Sequence, residues 1–397
     1  MAPPSSLRNL RGKVTTEVVL EKPKNINQEI INNMAKNTEK KKADKVVEEE
    51  SFEDDFGFLG NYDDENDNSD SLSLPENTAK SAISCAFIGV GGGGGKMAKA
   101  FIDIGFNKTF LINTTEKDQP SDLDEKHFLL IPGADGVGKD VSLGKEVFDS
   151  NSAMVEDALR TRVGKIDWLF VLCGGGGGTG SAAYALNKSF ERFLSTREAT
   201  GRVIYVVSKP TAQEMLNPTI VKNYESLLED VSKSTHIVID NEKQLELLRG
   251  KVGLLNMYPA ANSTFAKLFW QFLKMASESS PVQTFDTKDL EKCLGTDGRI
   301  FIGSTIIKNT DSKNLGADIY QGSINGSPCL KPGKTPTSGA LLLLVTEDHA
   351  NDPNVSNQLE AAVSYVGGRA DILFSGIYIK NKLPGLIGLV MLGGVDG

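Results

Sequence analysis

Apolar and polar positions along the chain follow a strand-then-helix rhythm from about Ser84. Short apolar runs at 86–90 and 167–172 end at glycines and are followed by helix-like segments at 96–104 and 182–194. Further apolar runs of strand length lie at 109–113, 203–207 and 237–239. Because such runs alternate with helices in proteins built on parallel sheets, we predict an α/β fold with a Rossmann-like parallel sheet.

The pattern changes towards the C-terminus. Residues 262–277 (NSTFAKLFWQFLKMAS) are apolar nearly all round, as in a long, buried central helix. Strand-like runs then predominate, with one clear helix near 354–366, which predicts a smaller α+β C-terminal domain. The expected regions are an N-terminal extension at 1–82, a nucleotide-type domain at 83–260, the central helix with the following loop at 261–297, and the C-terminal domain at 298–397.

In the N-terminal extension, one long stretch is acidic and contains no basic residue. No Lys or Arg occurs between Val46 and Ala79, whereas that stretch holds many acidic residues and few apolar ones. Such a composition buries too little apolar surface to offset chain entropy, so disorder is predicted there. The aromatic residues of SFEDDFGFLG, at 51–60, leave two interpretations open: a docking motif for an adaptor or regulator, or a solvated linker.

Composition narrows the function classes. The chain has 43 basic and 52 acidic residues, a net charge of −9, so no direct nucleic-acid partner is predicted. No apolar run reaches the ~18–20 residues of a membrane-spanning helix. MAPPSSLRNLRGK lacks the apolar segment of a secretory signal, so we expect a cytoplasmic protein without a transmembrane segment. The four cysteines lack the paired spacing of a disulfide framework or a zinc site.

Glycine is enriched, with 40 of 397 residues, and much of the excess lies in two runs at 91–95 and 174–178. Each run stands between a predicted strand and a predicted helix. Glycine lets the backbone approach an anion closely, and a helix N-terminus offers free N–H groups, so both runs are candidate phosphate-binding loops.

Two common phosphate-binding motifs match only in part. Gly89, Gly91 and Gly94 have the dinucleotide spacing, with Glu116 about twenty residues on, but this interpretation leaves the second run unexplained. A P-loop would need a hydroxyl residue after its Lys, and Asp140 follows Lys139 in the one segment with suitable spacing.

A third interpretation accounts for both runs. CGGGGGTGS at 173–181 resembles the signature loop of the tubulin/FtsZ superfamily, and IGVGGGGGKMA at 88–98 resembles the first nucleotide loop of FtsZ. Further similarity follows in order: NTT at 113–115, the glycine loop at 133–138, VVSKP at 206–210, and YPAAN at 258–262. The residues that this resemblance assigns to GTP or GDP are Gly91, Gly92, Gly93, Gly94, Gly95, Lys96, Thr115, Gly136, Gly138, Gly176, Gly177, Gly178, Thr179, Gly180, Ser181, Glu214, Tyr258 and Asn262.

Within that set, the resemblance gives Glu214 to the ribose, while Tyr258 would stack on guanine and Asn262 would bond its edge. Lys96 stands where the family usually has Asn, and either a phosphate contact or a solvent-exposed position is open for it.

The resemblance also supplies a catalytic pair. TFDTKDL at 284–290 is similar to the FtsZ loop that enters the nucleotide pocket of the next subunit, although its leading Asn is missing. Asp286 and Asp289 would position the attacking water and complete the environment of the Mg²⁺ and the phosphates. No protein ligand for the metal is evident, so Mg²⁺ would be held by phosphates and water.

The sequence therefore predicts a GTP-hydrolysing protein that polymerises head to tail with itself. Two alternatives stay open: a weakly hydrolysing nucleotide-binding scaffold of the same fold, and an NAD(P)-dependent oxidoreductase. Division, plasmid segregation and phage DNA positioning are equally compatible cellular roles.

Overall fold

A computed structural model describes residues 72–310 and 312–396 of the chain. The acidic stretch before Leu72 and the candidate docking motif at 51–60 lie outside the described residues. The predictions for them stay predictions.

The described strands and helices alternate over most of the chain. The strands are β1 (Cys85–Val90), β2 (Thr109–Asn113), β3 (Phe128–Leu130), β4 (Trp168–Gly174), β5 (Val203–Lys209), β6 (His236–Asp240), β7 (Arg299–Ile307), β8 (Ser338–Val345), β9 (Ile372–Ile379) and β10 (Leu386–Gly393). The α-helices are α1 (Gly91–Ile102), α2 (Val141–Ser150), α3 (Ser152–Ala158), α4 (Gly178–Ser181), α5 (Asn187–Ser195), α6 (Pro218–Val231), α7 (Asn241–Leu248), α8 (Met257–Met275), α9 (Thr287–Leu294), α10 (Leu315–Gly326), α11 (Glu347–Asn351) and α12 (Pro353–Gly367).

All of these strands belong to one sheet, in the order β3-β2-β1-β4-β5-β6-β7-β10-β8-β9. The strands from β3 to β7 are parallel, and β10 runs antiparallel to both of its neighbours. Only two residue pairs join β6 to β7, so the C-terminal strands extend the first sheet through a narrow seam. The predicted α/β class is confirmed.

Aromatic rings fix the central helix α8 against the sheet. The Phe87 ring of β1 stacks on Phe101 of α1 with ring centroids 3.9 Å apart and on Phe170 of β4 at 5.0 Å. Phe269 of α8 meets Phe170 edge to face at 5.0 Å. These rings are buried, and together they align α8 with strands β1 and β4.

Residues 72–82 differ from the expected disorder, because they pack along the fold as an ordered strap. The Leu74 N–H donates to the Arg162 carbonyl at 2.8 Å, and the Ala82 N–H donates to the Leu273 carbonyl at 2.9 Å. Asn77 bonds both the Cys85 carbonyl and the Lys108 N–H at 2.8 Å. The reason is local, because Leu74 and Ala79 bury their side chains against the fold.

Candidate functional site

The first glycine run forms the beginning of α1. Gly91 has a φ of +71°, and a methyl group there would lie 2.7 Å from the Gly180 nitrogen. Gly94 and Gly95 are buried against the sheet, whereas Gly92 is half-buried and Gly93 is exposed. No side chain caps the helix N-terminus at Val90. The first turn of α1 therefore presents backbone N–H groups beside exposed glycine.

The second glycine run follows β4 and enters the short helix α4. Gly174 faces Gly93, since a methyl group on Gly174 would lie 3.6 Å from the Gly93 Cα. Gly177 is exposed, and a methyl group on it would meet nothing within 4 Å. The two runs thus converge at the carboxyl ends of the neighbouring strands β1 and β4, as the sequence predicted. In doubly wound folds ligands bind at that edge.

Two more loops border the same edge. The Gly178 N–H donates to the Gly138 carbonyl at 2.9 Å, and the Gly136 N–H donates to the Thr114 carbonyl at 2.8 Å. Gly136 and Gly138 have φ values of +79° and +57°, a left-handed conformation that favours glycine. The Thr115 hydroxyl donates to Asp135 at 3.2 Å. The structure thus brings the predicted residues of these loops beside the two glycine runs.

Hydroxyl groups line the junction of the loops. The hydroxyls of Thr114 and Thr179 lie 3.0 Å apart. The Ser181 hydroxyl is fully buried and has no hydrogen-bond partner among the described residues. A buried hydroxyl without a partner carries a desolvation cost, which a ligand that bonds it would remove.

The predicted base-binding residues gather at the start of α8. Tyr258 is partly exposed, and burial, aided by the nearby Glu214 and Glu242 carboxylates, raises the pKa of its hydroxyl. Glu214 accepts from the Thr211 N–H at 2.7 Å, which fixes the turn after β5. Asn262, one turn beyond Tyr258, is half-buried and makes no side-chain hydrogen bond to another described residue.

Lys96 lies on α1 one turn beyond Gly93 and is exposed. It has no ion-pair partner among the described residues. Both interpretations of Lys96, a phosphate contact and a solvent-exposed position, therefore stay open.

Asp286 and Asp289 lie elsewhere and already have a structural contact. Asp286 is the N-cap of α9, its carboxylate accepting from the Asp289 N–H at 3.0 Å, while the Asp289 carboxylate accepts from the Asp286 N–H at 3.3 Å. This reciprocal capping box uses one oxygen of each carboxylate. Asp286 is exposed and Asp289 half-buried, so each retains a second oxygen for another contact.

The acid loop lies at the far end of α8 from the base-binding residues. The Tyr378 hydroxyl bonds the Met275 carbonyl at the end of α8 and the Phe285 carbonyl in the loop, both at 3.0 Å. Because α8 has 19 residues, its two ends are about 28 Å apart. Asp286 and Asp289 therefore cannot reach a ligand held by the glycine loops of their own chain.

Some side chains at the glycine edge were not predicted from the sequence. The Asp118 carboxylate lies against Gly92 and accepts from the Asn113 amide at 3.1 Å. Thr114 belongs to the NTT segment at 113–115, in which the family resemblance assigns only Thr115 to the nucleotide. The signal available for both was their position just after β2, on the same edge as the glycine runs.

Three further features were considered in residues 72–310 and 312–396: a metal site, a membrane-spanning helix and a reactive cysteine. These residues contain no group of three or more His, Cys, Asp or Glu side chains placed to hold a metal ion. No helix in this part of the chain is long and apolar enough to cross a membrane. Cys173, next to the second run, is fully buried, and burial raises the pKa of its thiol to about 12.

The known proteins that resemble this chain in sequence or in structure include FtsZ, TubZ and CetZ proteins. No family model matches the sequence. Cell division protein FtsZ 1 of Pyrococcus horikoshii is 24% identical over 312 residues, covering 77% of this chain and 79% of that protein. A GTPγS-form protofilament of TubZ from Bacillus thuringiensis serovar israelensis superposes with a TM-score of 0.66 at 18% identity, covering 82% of this chain and 90% of that one. A GTPγS-bound protofilament of CetZ2 from Haloferax volcanii gives 0.64 at 23% identity, with coverages of 79% and 94%.

Proposed function

Because this chain is a divergent member of the tubulin/FtsZ superfamily, we propose that it binds GTP and GDP at the glycine edge, hydrolyses GTP and assembles head to tail into filaments. One observation carries the proposal: two glycine runs from neighbouring parallel strands converge, and Gly177 leaves open space in front of them. A ligand with several phosphates needs such a surface of backbone N–H groups without side chains.

The polar groups at this edge fit a guanine nucleotide. Gly93, Gly177 and the unpartnered Ser181 hydroxyl would bind phosphates, and Glu214 would bind ribose. Tyr258 and Asn262, at the start of α8, would supply a ring and an amide, which suit a base. Mg²⁺, when bound with the nucleotide, would neutralise phosphate charge, with phosphates and water as its ligands.

Head-to-tail assembly follows from where the acids lie. Asp286 and Asp289 sit about 28 Å from the base-binding end of their own chain, the length of α8. The free oxygens of these carboxylates would orient water beside the nucleotide of a second copy. A contact between opposite ends of identical subunits does not close on itself, so it propagates into a filament.

Exposed leucines at the glycine edge support a contact there. Leu216 is 82% exposed, Leu254 83% and Leu255 92%, and all three flank the Glu214 and Tyr258 positions. Covering three large apolar side chains would give the second copy an energetic reason to bind at this edge.

One observation favours the alternative of a weakly hydrolysing scaffold. The capping box gives Asp286 and Asp289 a complete structural role, and the Thr284 hydroxyl, where the family has Asn, accepts from the Ser280 N–H at 3.0 Å. A chain with this loop could bind nucleotide and assemble with slow turnover.

A binding titration tests the nucleotide assignment first. Fluorescently labelled GTP added to the full chain should bind saturably, and unlabelled GTP or GDP should displace it while NADH should not. Displacement by NADH alone would contradict the proposal and favour the oxidoreductase.

A further inference from the structure

A basic cavity is lined by residues of two segments, 156–160 and 192–197. It occupies about 540 Å³ between the end of α3 and α5. Its lining residues are Glu156, Arg160, Arg192, Phe193, Thr196 and Arg197. Three guanidinium groups and one carboxylate give this cavity an excess of positive charge.

Only one of the three arginines is neutralised by its surroundings. Arg192 pairs with Glu156 at 2.9 Å. Arg197 lies over the Phe193 ring, with its guanidinium carbon 5.4 Å from the ring centroid, a contact that leaves its charge uncompensated. Arg160 is exposed and has no ion-pair partner in the described part of the chain. The cavity therefore presents two guanidinium groups that can pair with carboxylates, for which their planar geometry is suited.

An acidic stretch of the sequence directly precedes a residue that is held near Arg160. Leu74 is buried, and its N–H bonds the carbonyl of Arg162, two residues beyond Arg160. The sequence YDDENDNSDS at 62–71 lies immediately upstream and contains five acids and no basic residue. Since a chain advances at most about 3.5 Å per residue, Asp67 lies within about 25 Å of Leu74.

We propose that the arginine cavity is the docking site for the acidic segment 62–71 of the same chain. Charge complementarity and the tether at Leu74 carry this inference. A tether of a few residues gives the segment a high effective concentration at the cavity, so several weak ion pairs suffice to hold it.

Site-specific labelling tests this proposal in the full chain. The four native cysteines are all buried, and burial raises the pKa of each thiol to about 11 or 12. Ser69→Cys therefore supplies the one reactive thiol for a nitroxide spin label. The spectrum should contain a slow-motion component at low salt, and this component should be lost at high salt because exposed ion pairs are screened.

Charge reversal separates docking from other causes of slow motion. Arg160→Glu with Arg197→Glu should abolish the slow component, and adding Asp63→Lys, Asp64→Lys and Asp67→Lys to that variant should restore it. The matched control, Lys308→Glu with Lys313→Glu, makes the same change of net charge on exposed lysines far along the chain and should leave the component unchanged.

Three results would overturn the proposal: a wild-type spectrum without a slow component, one that survives the arginine reversal, or one lost equally in the control. If the arginine variant fails to fold, Asp63→Lys, Asp64→Lys and Asp67→Lys in the otherwise wild-type chain decide the matter. These changes lie outside the described residues and must by themselves remove the slow component.

Discussion

The glycines of the two loops differ in which atoms an added methyl group would contact. A methyl group on Gly94 would overlap the Leu172 carbonyl, so this glycine lets α1 pack directly on β4. On Gly177 it would meet nothing, although the residue has no positive φ that demands glycine. Close packing therefore explains Gly94, whereas for Gly177 we propose a ligand that approaches its backbone.

Gly94→Ala and Gly177→Ala should consequently fail in different ways. We expect Gly94→Ala to destabilise the fold by about 1–3 kcal/mol, as overpacking does. Gly177→Ala should keep its thermal midpoint and lose at least about tenfold in GTP affinity, about 1.4 kcal/mol. Calorimetric melting and labelled-GTP titration measure the two effects. Unchanged GTP affinity in a folded Gly177→Ala protein would contradict the phosphate assignment.

Asp286 combines a capping role with the proposed catalytic one, and two substitutions separate them. Asn is as good an N-cap as Asp but carries no charge, whereas Ala removes the cap at a cost of about 1 kcal/mol. Asp286→Asn should therefore keep the stability of the wild type and its GTP binding while losing most GTP hydrolysis. Asp286→Ala should lose both stability and hydrolysis. If Asp286→Asn hydrolyses GTP at the wild-type rate, Asp286 acts only as a helix cap. That result would support the alternative of a weakly hydrolysing scaffold.

At the scale of elements, the strap at 72–82, together with Ile83 directly after it, joins parts that are distant in sequence. Leu74 packs in the core on one face of the sheet, whereas Ala79 and Ile83 pack in the core on the other. Glu76 pairs with the largely buried Lys108 at 2.6 Å, and Trp270 of α8 donates to the Lys80 carbonyl at 2.9 Å. The strap thus connects the flank at Arg162 to the end of α8.

Truncations should locate the true start of the fold. A chain that begins at Leu72 should melt like the full chain, whereas one that begins at Ser84 should melt at a clearly lower temperature. Within the full chain, Leu74→Ala should cost about 2–5 kcal/mol, as for other buried leucines. Denaturant unfolding measures these differences. Equal stability of the two truncated chains would show that the strap adds nothing to the fold.

Element types were predictable where the apolar pattern was strong. The buried strands β1, β2, β4 and β5 match the predicted runs, because each contains several consecutive apolar residues. Helix α10 was missed because Gly316, Gly322 and Gly326 weaken its helical signal. Gly316 and Gly322 instead let it approach Tyr365 and Thr305 closely, a tertiary requirement that local propensity does not contain.

The boundaries of two helices differ from those predicted from the sequence. The predicted helix at 182–194 is divided, since residues 183–186 form a 3-10 turn before α5 begins at Asn187. The central helix begins at Met257, ahead of the predicted 262, because Pro259 falls in the first turn, where its missing N–H is not needed.

The site itself was predictable to the extent that it is a sequence motif. The glycine runs, Gly136 and Gly138 converge because parallel strands end at one edge. The Asp118 contact with Gly92 and the capping role of Asp286 depend on loop geometry, and no motif includes them. The cytoplasmic location and the cellular role stay predictions.

At the scale of the whole molecule, filament formation should depend on the exposed leucines at the glycine edge. Leu254→Asp with Leu255→Asp should leave folding and GTP binding intact, because both side chains are almost entirely exposed in the single chain. Assembly should fail, since charge would replace apolar surface at the contact. Sedimentation with GTP measures it, and Leu72→Asp, an exposed leucine on the strap, is the matched control. Normal sedimentation of the double variant would place the interface elsewhere.

The central claim is that nucleotide and acid loop come from different subunits. Mixing two impaired variants tests it directly, at a GTP concentration that fills the wild-type site but not the weakened one: Asp286→Asn has an intact nucleotide site, and Gly177→Ala has an intact acid loop. Phosphate release from GTP should be near background for each protein alone and should rise well above the sum in the mixture. One of the two orientations of an interface between unlike subunits joins the intact nucleotide site of Asp286→Asn to the intact acid loop of Gly177→Ala. A mixture that releases no more phosphate than its two components, although both variants fold and sediment together, would contradict a site shared between subunits.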